Sequence, residues 1–174
     1  MIGLKRGVVI LREHNKEWSK LFDKEANLIS SKISGYIVDI QHIGSTAIPG
    51  TVAKPIIDIA VAVEDLSNVM QVITPLQEIG YAYRGEQGIP DRHLFVKGNE
   101  ESRTHHMHVM DNTSYEWKKH IVFRDYLRQN PLETKQYSEL KKKLAVEFEL
   151  DREKYTDSKE EFIQRILDKA KENQ

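Results

Sequence analysis

The chain has 174 residues, 39% of them hydrophobic, with 26 basic against 27 acidic side chains and a net charge of −1. That suffices for one folded domain with its own core, and it lacks the basic excess that marks a nucleic-acid binder. There is no cysteine, which excludes disulfides, thiolate zinc sites and cysteine nucleophiles. The start of the chain lacks a signal-peptide pattern, and no run approaches the ~20 apolar residues of a membrane span. A cytoplasmic protein with no membrane partner is therefore expected.

Val8-Val9-Ile10-Leu11 predicts a short strand. Trp18, Phe22, Ala26, Ile29 and Ile33 recur at three- and four-residue steps and predict a helix capped by Asn15. Tyr36 to Ile43 reads as a strand with Tyr36, Val38 and Ile40 on one face, and Pro55 to Val63 as the strongest strand in the chain. A helix is expected over 67–79, broken or restarted at Pro75. Short strands follow at 81–84, 91–97 and 105–110, with a glycine-containing loop at 84–90. Beyond Asn112 the pattern turns helical: about 114–128, then 133–150 with Tyr137, Leu140, Leu144 and Phe148 on one stripe. A last helix is opened by a Ser158/Glu161 capping box. Lys141-Lys142-Lys143 reads as a solvated helix face. The expected fold class is α+β, one domain over 1–174, with a sheet-containing core in 1–112 and a helical extension in 113–174.

Strand parity points to one site. Ile57, Ile59, Val61 and Val63 share a bulky face, whereas Asp58 stands among the small side chains of the other. An unpaired carboxylate inside an apolar strand costs several kcal/mol, which favours a ligand or an ion pair. His106 and His108 share one face of a later strand, a pairing that suits a metal or a phosphate. Arg92 precedes Leu94 and Val96 on its own strand face, and His93 has the wrong parity. Gly44-Ser45 ends a strand in a turn whose N–H groups can face an anion, and Lys54 opens the next strand. Arg124 and Arg128 are one helical turn apart and either clamp an anion or belong to a salt-bridged face with Asp125.

His42-Ile43-Gly44-Ser45-Thr46-Ala47-Ile48-Pro49-Gly50, Lys54-Pro55-Ile56-Ile57-Asp58-Ile59, His106-Met107-His108-Val109 and Phe123-Arg124-Asp125-Tyr126-Leu127-Arg128 together resemble the GrpB family. That family is similar to the polymerase-beta-type nucleotidyltransferases, and the resemblance implies a minimal mixed sheet packed with helices, plus a helical C-terminal extension. It also implies a Gly-Ser turn that holds nucleotide phosphates, and strand carboxylates that hold two divalent cations. The superfamily's second carboxylate would fall at position 60, which is Ala60, and a histidine of the His106–His108 strand takes the place of the third. Imidazole favours softer ions than magnesium, so the expected cofactor is a divalent metal: Mg²⁺, Mn²⁺ or Zn²⁺.

The expected activity is metal-dependent transfer of a nucleotidyl group from an NTP to an unknown acceptor. Asp58, His106 and His108 are the candidate catalytic and metal-binding residues. His42, Gly44, Ser45, Thr46, Lys54, Arg92, Arg124 and Arg128 are the candidate phosphate- or nucleotide-binding residues. The alternatives are a non-catalytic nucleotide-binding module, which Ala60 favours, and a metal-dependent phosphate-ester hydrolase, which the histidines favour.

Overall fold

The computed structural model describes residues 1–172. Its centre is a five-stranded sheet of β1 (Ile37–Ile43), β2 (Ile57–Val63), β3 (Tyr81–Tyr83), β4 (Arg92–Gly98) and β5 (Arg103–Asp111), in the order β1-β2-β5-β4-β3. Only β2 and β5 run parallel; the other neighbours are antiparallel. The helices are α1 (Glu17–Ile33), α2 (Val69–Glu78), α3 (Tyr115–Gln129), α4 (Pro131–Glu147), α5 (Arg152–Asp157) and α6 (Glu160–Glu172).

The period-two alternation of β2 sorts the layers. Ile57, Ile59, Val61 and Val63 join Met107, Val109 and Phe95 in a core closed by Trp18, Ile29 and Ile33 of α1 and Val72 and Leu76 of α2. On the opposite face Ala60 and Ala62 meet Ile43, Met110 and Trp117 of α3. The alanines are small enough for the indole to lie close to the sheet. This second face is therefore open only at its Asp58 end, and α3 covers the rest. The later helices add two smaller clusters, one around Ile48, Leu127, Tyr137, Phe162 and Ile166, the other around Val9, Leu144 and Tyr155.

Several local readings change. Val8–Leu11 forms no strand; Val9 is buried, its N–H donating to the Glu149 carbonyl, and only isolated bridges flank the segment. A register shift between Ile37 and Asp39 turns Val38 outward, so Ile37 joins Ile40 against the core. Pro75 does not interrupt α2: the carbonyl it leaves without a donor belongs to exposed Gln71, where water can serve it. Helix α5, absent from the periodicity reading, is capped by Asp151 and inserts a single apolar residue, Tyr155. Ser158 closes α5 instead of opening α6.

Candidate functional site

Strand register builds the centre of the site. Asp58 pairs with Ile43 on one side and His106 on the other, so the turn after β1 and the β5 histidine flank one carboxylate. Gly44 begins that turn at φ 69°, ψ −173°, a region open essentially to glycine. A Cβ placed there would lie 2.5 Å from Asp58 Oδ2. The absent side chain is what lets the backbone rest on the carboxylate. On the other side His106 Nδ1–H donates to Asp58 Oδ1 at 3.2 Å. Burial acts to raise the Asp58 pKa, but the hydrogen bond from His106 and the favourable electrostatics of His106, His108 and Lys54 outweigh it and hold the group at about 2. Asp58 is thus ionised, its side chain 30% exposed, and it fixes the His106 tautomer with Nε2 as the free acceptor.

His108 lies on the same face but in a different setting. It pairs with Ala60, stacks on His120 of α3 at 5.7 Å, and leaves its Nδ1 without a partner. Burial, then the neighbouring His120 and Arg92, push its pKa well below the usual histidine value. Arg92 shares this face and stands 3.7 Å from Glu116.

The turn itself is anchored from below. Lys141 Nζ donates to Ser45 Oγ at 2.9 Å and to the Val52 carbonyl, with the Tyr137 ring 4.3 Å away. Lys141 is 1% exposed, so the inward residue of the lysine run is not on a solvated face. Burial, with repulsion from Lys159 and Lys54, drives its pKa well below normal. Its signal in the sequence was position: it follows Tyr137 by four and precedes Leu144 by three, on the buried stripe of α4. Lys54 and Lys159 stand over the Tyr155 ring at 5.5 and 4.4 Å. Burial lowers Lys54 to about 7, helped by Lys159 and Arg152, and lowers Lys159 to about 8 against the attraction of Asp58.

A cleft of about 790 Å³ opens beside these groups. Its walls carry Lys5 and Arg6 from the N-terminal segment, Lys54, Arg84, Arg92 and Arg103 from the sheet side, and Arg152 from α5, together with His106 and His108. The lining itself contributes Glu153 and Asp157, and Lys5, Arg6, Arg92 and Arg103 have carboxylate neighbours in Glu101, Glu100 and Glu116 behind it, which leaves Lys54, Arg84 and Arg152 without one among the described residues. The near-zero net charge of the chain hides this, because folding gathers one sign in one place.

Other candidates take different positions. His42 pairs with Ile59 and so points to the opposite face, stacked on Phe22 of α1 at 4.7 Å and hydrogen-bonded to buried Thr46 Oγ1 at 2.9 Å. Burial lowers it to about 4, so it adds no positive charge at neutral pH. Arg124 is buried and donates to Gln41 Oε1, the His42 carbonyl and Asp125. Arg128 donates to the Ala47 carbonyl. Both arginines fasten α3 to the backbone around the Gly44 turn. Among the described residues no three His, Asp or Glu side chains gather as ligands of one ion. Ala60, buried under α3, offers no second carboxylate. The donors present fit at most a single divalent ion on Asp58 Oδ2, completed by oxygens of a ligand, and do not fit a two-ion centre.

The GrpB protein family matches residues 8–169, nearly the whole chain. The chain belongs to the GrpB family. It is 42% identical to the glutamate-rich protein GrpB of Alkalihalophilus pseudofirmus over 96% of this chain and 98% of that one. It is 38% identical to the UPF0157 protein YqkA of Bacillus subtilis, covering 96% of this chain but 48% of that protein. Among solved structures, the conserved protein GrpB of Enterococcus faecalis superimposes with a TM-score of 0.86 at 38% identity, over 92% of this chain and 96% of that chain. The Cid1 poly(U) polymerase, in a MgGTP-bound crystal structure, superimposes with a TM-score of 0.52 at 11% identity, over 77% of this chain and 44% of that one. At that identity the likeness is one of fold: this GrpB chain has a nucleotidyltransferase-like sheet and helix arrangement.

Proposed function

We propose that this GrpB protein binds a nucleoside triphosphate in the cleft and transfers its nucleotidyl group to an acceptor. The observation that carries the reading is the contact between Gly44 and Asp58, a phosphate-type turn resting on an ionised carboxylate beside an excess of cations. Ser45 and the turn N–H groups would meet the phosphates, with Lys54 and Lys159 neutralising them. Asp58 Oδ2 would hold a divalent ion, which supplies charge neutralisation at the phosphates. In the reaction an acceptor oxygen bonds to the α-phosphorus as the bond from that phosphorus to the bridging oxygen breaks. Pyrophosphate leaves with the electron pair, and the acceptor proton passes to His106 Nε2. His108, neutral and half-buried, supports the face on which His106 stands.

A second reading is a nucleotide-binding module without catalysis. Ala60 and the lack of a gathered ligand set among the described residues favour it. One experiment separates the two. The protein is incubated with α-labelled NTPs, Mg²⁺ or Mn²⁺ and a cell extract, beside Asp58→Asn and His106→Gln. Transfer of label that both substitutions abolish, with Asp58→Asn also losing metal-dependent nucleotide binding, supports the enzyme. Binding that Asp58→Asn abolishes without any transfer supports the module. Unchanged binding in Asp58→Asn refutes the site.

A further inference from the structure

The cleft extends past the Asp58 centre along β5. Counted by parity, Arg103 belongs with His105 and Met107 on the core face. It does not lie there, because β4 and β5 slip register: Lys97 faces His105, whereas Gly98 faces Arg103, leaving Thr104 as an extra residue. Such a bulge re-aims the side chain beyond it. Arg103 is thereby turned onto the face of His106 and lines the cleft.

The backbone around it is held on both sides. Its N–H donates to the Leu4 carbonyl, and its own carbonyl accepts from Leu4 N–H at 3.0 Å. The side chain is 9% exposed, yet among the described residues its Nε has no partner. Its one carboxylate neighbour is half-exposed Glu100, at 3.4 Å, which Arg6 also contacts at 3.2 Å. Burial lowers the Arg103 pKa, and after Glu100 the groups that act on it are Arg84, Arg6 and Arg152, all repulsive. Among the described residues neither Arg84 nor Arg152 has a carboxylate within ion-pair distance. Arg84, Arg103 and Arg152 line this end of the cleft, and among the described residues the carboxylate within ion-pair distance of any of the three is Glu100. Burying a donor without an acceptor is costly, and the arrangement is relieved by an oxyanion that takes several guanidinium N–H groups at once.

From this geometry we infer that Arg84, Arg103 and Arg152 form a second anion subsite, which takes the phosphate group of the acceptor, and that the acceptor is a small phosphate monoester. The inference rests on the nucleotide reading of the Asp58 end for the word acceptor, though not for the subsite itself. Two observations set the class. His106 and Arg103 face Val96 and Gly98, two residues apart on β4, so they stand roughly 7 Å apart along the strand at ~3.3 Å per residue, comparable with the length of a phosphorylated sugar. Among the described residues no Phe, Tyr or Trp side chain lines the cleft. A single-stranded nucleic acid would lack the stacking platforms on which such chains are usually held.

Ribose 5-phosphate, ribose and a hexauridylate without terminal phosphate serve as probes in calorimetric titrations. These use the whole protein, first free and then saturated with a nonhydrolysable NTP and Mn²⁺. Ribose 5-phosphate is expected to bind and ribose not to. Arg103→Gln and Arg84→Gln should each weaken that binding at least about tenfold, the effect of losing one charge-assisted contact, and leave nucleotide affinity within about twofold. Arg84 is exposed, so its variant carries the test should Arg103→Gln fold poorly. The inference is overturned if both variants bind ribose 5-phosphate as the parent does. It is equally overturned if ribose matches its phosphate, or if the hexauridylate binds more tightly. Failure of nucleotide to bind the parent refutes the functional reading instead, and the titration of the free protein then still decides the arginine subsite.

Discussion

Replacing Gly44 by alanine tests the central contact directly. The backbone at φ 69°, ψ −173° is a conformation that costs a residue with a Cβ of order 1–3 kcal/mol. The added methyl would stand 2.5 Å from Asp58 Oδ2, 3.0 Å from its Cβ and 3.1 Å from its Cγ. The carboxylate has to move, and with it goes the bond to His106, a charge-assisted interaction worth roughly 1.5–3 kcal/mol. Together the two terms predict a loss of about 4 kcal/mol. For a chain of this size, at roughly 2–4 °C per kcal/mol, the melting temperature should fall by about 8–16 °C. Scanning calorimetry reads the shift. Adding Asp58→Ala to Gly44→Ala should cost far less than the sum of the two single changes, because the carboxylate that clashes is the one removed. A Gly44→Ala protein that melts within about 2 °C of the parent would refute the reasoning.

Nucleotide affinity should weaken between pH 6.5 and 9. Lys54 titrates near 7 and Lys159 near 8 in the free protein, and each amine that has lost its proton no longer offers a charge to the phosphates. Fluorescent-nucleotide titrations across that range check it, and a flat profile would remove both lysines from the site. His42 makes folding acid-sensitive. It stays neutral in the folded chain down to about 4, whereas the unfolded state takes its proton near 6.5. The unfolded state binds the extra proton between those values, so stability falls as pH drops through the window, by about 3 kcal/mol from this residue. Urea unfolding at pH 7 and 4.5 should show a smaller difference in His42→Gln than in the parent. Arg124→Lys should lose about 2–3 kcal/mol of stability, since an ammonium cannot reproduce the fork that reaches Gln41, the His42 carbonyl and Asp125. Its nucleotide affinity should stay within about twofold, and a collapse of affinity at unchanged stability would instead restore the clamp reading.

The alternation along β2 and β5 was enough to place Asp58, His106 and His108 on one face, because side-chain direction in a strand is a local property. Register was not local. That β5 pairs parallel with β2, with His106 directly opposite Asp58, depends on a crossover of 39 residues between Val63 and Arg103 that no periodicity specifies. His42 shows the same limit. Its parity relative to Ile43 was visible, but the ring of Phe22 that makes it a neutral core residue comes from a distant helix.

Sequence alone indicated most of the element types and the two faces of the central strands, and its motifs resembled those of the GrpB family, because backbone sterics and hydrophobic periodicity act within a few residues; it missed α5 and placed a strand at Val8–Leu11 that does not form. The rest required folding. Lys141 lies under Ser45 from 96 positions away, α3 shuts most of the alanine face, and one extra residue at Thr104 swings Arg103 into the cleft. Charge behaves the same way: a nearly neutral composition becomes a cationic cleft once six stretches of chain converge on it, and convergence in space is the quantity a linear order of residues does not contain.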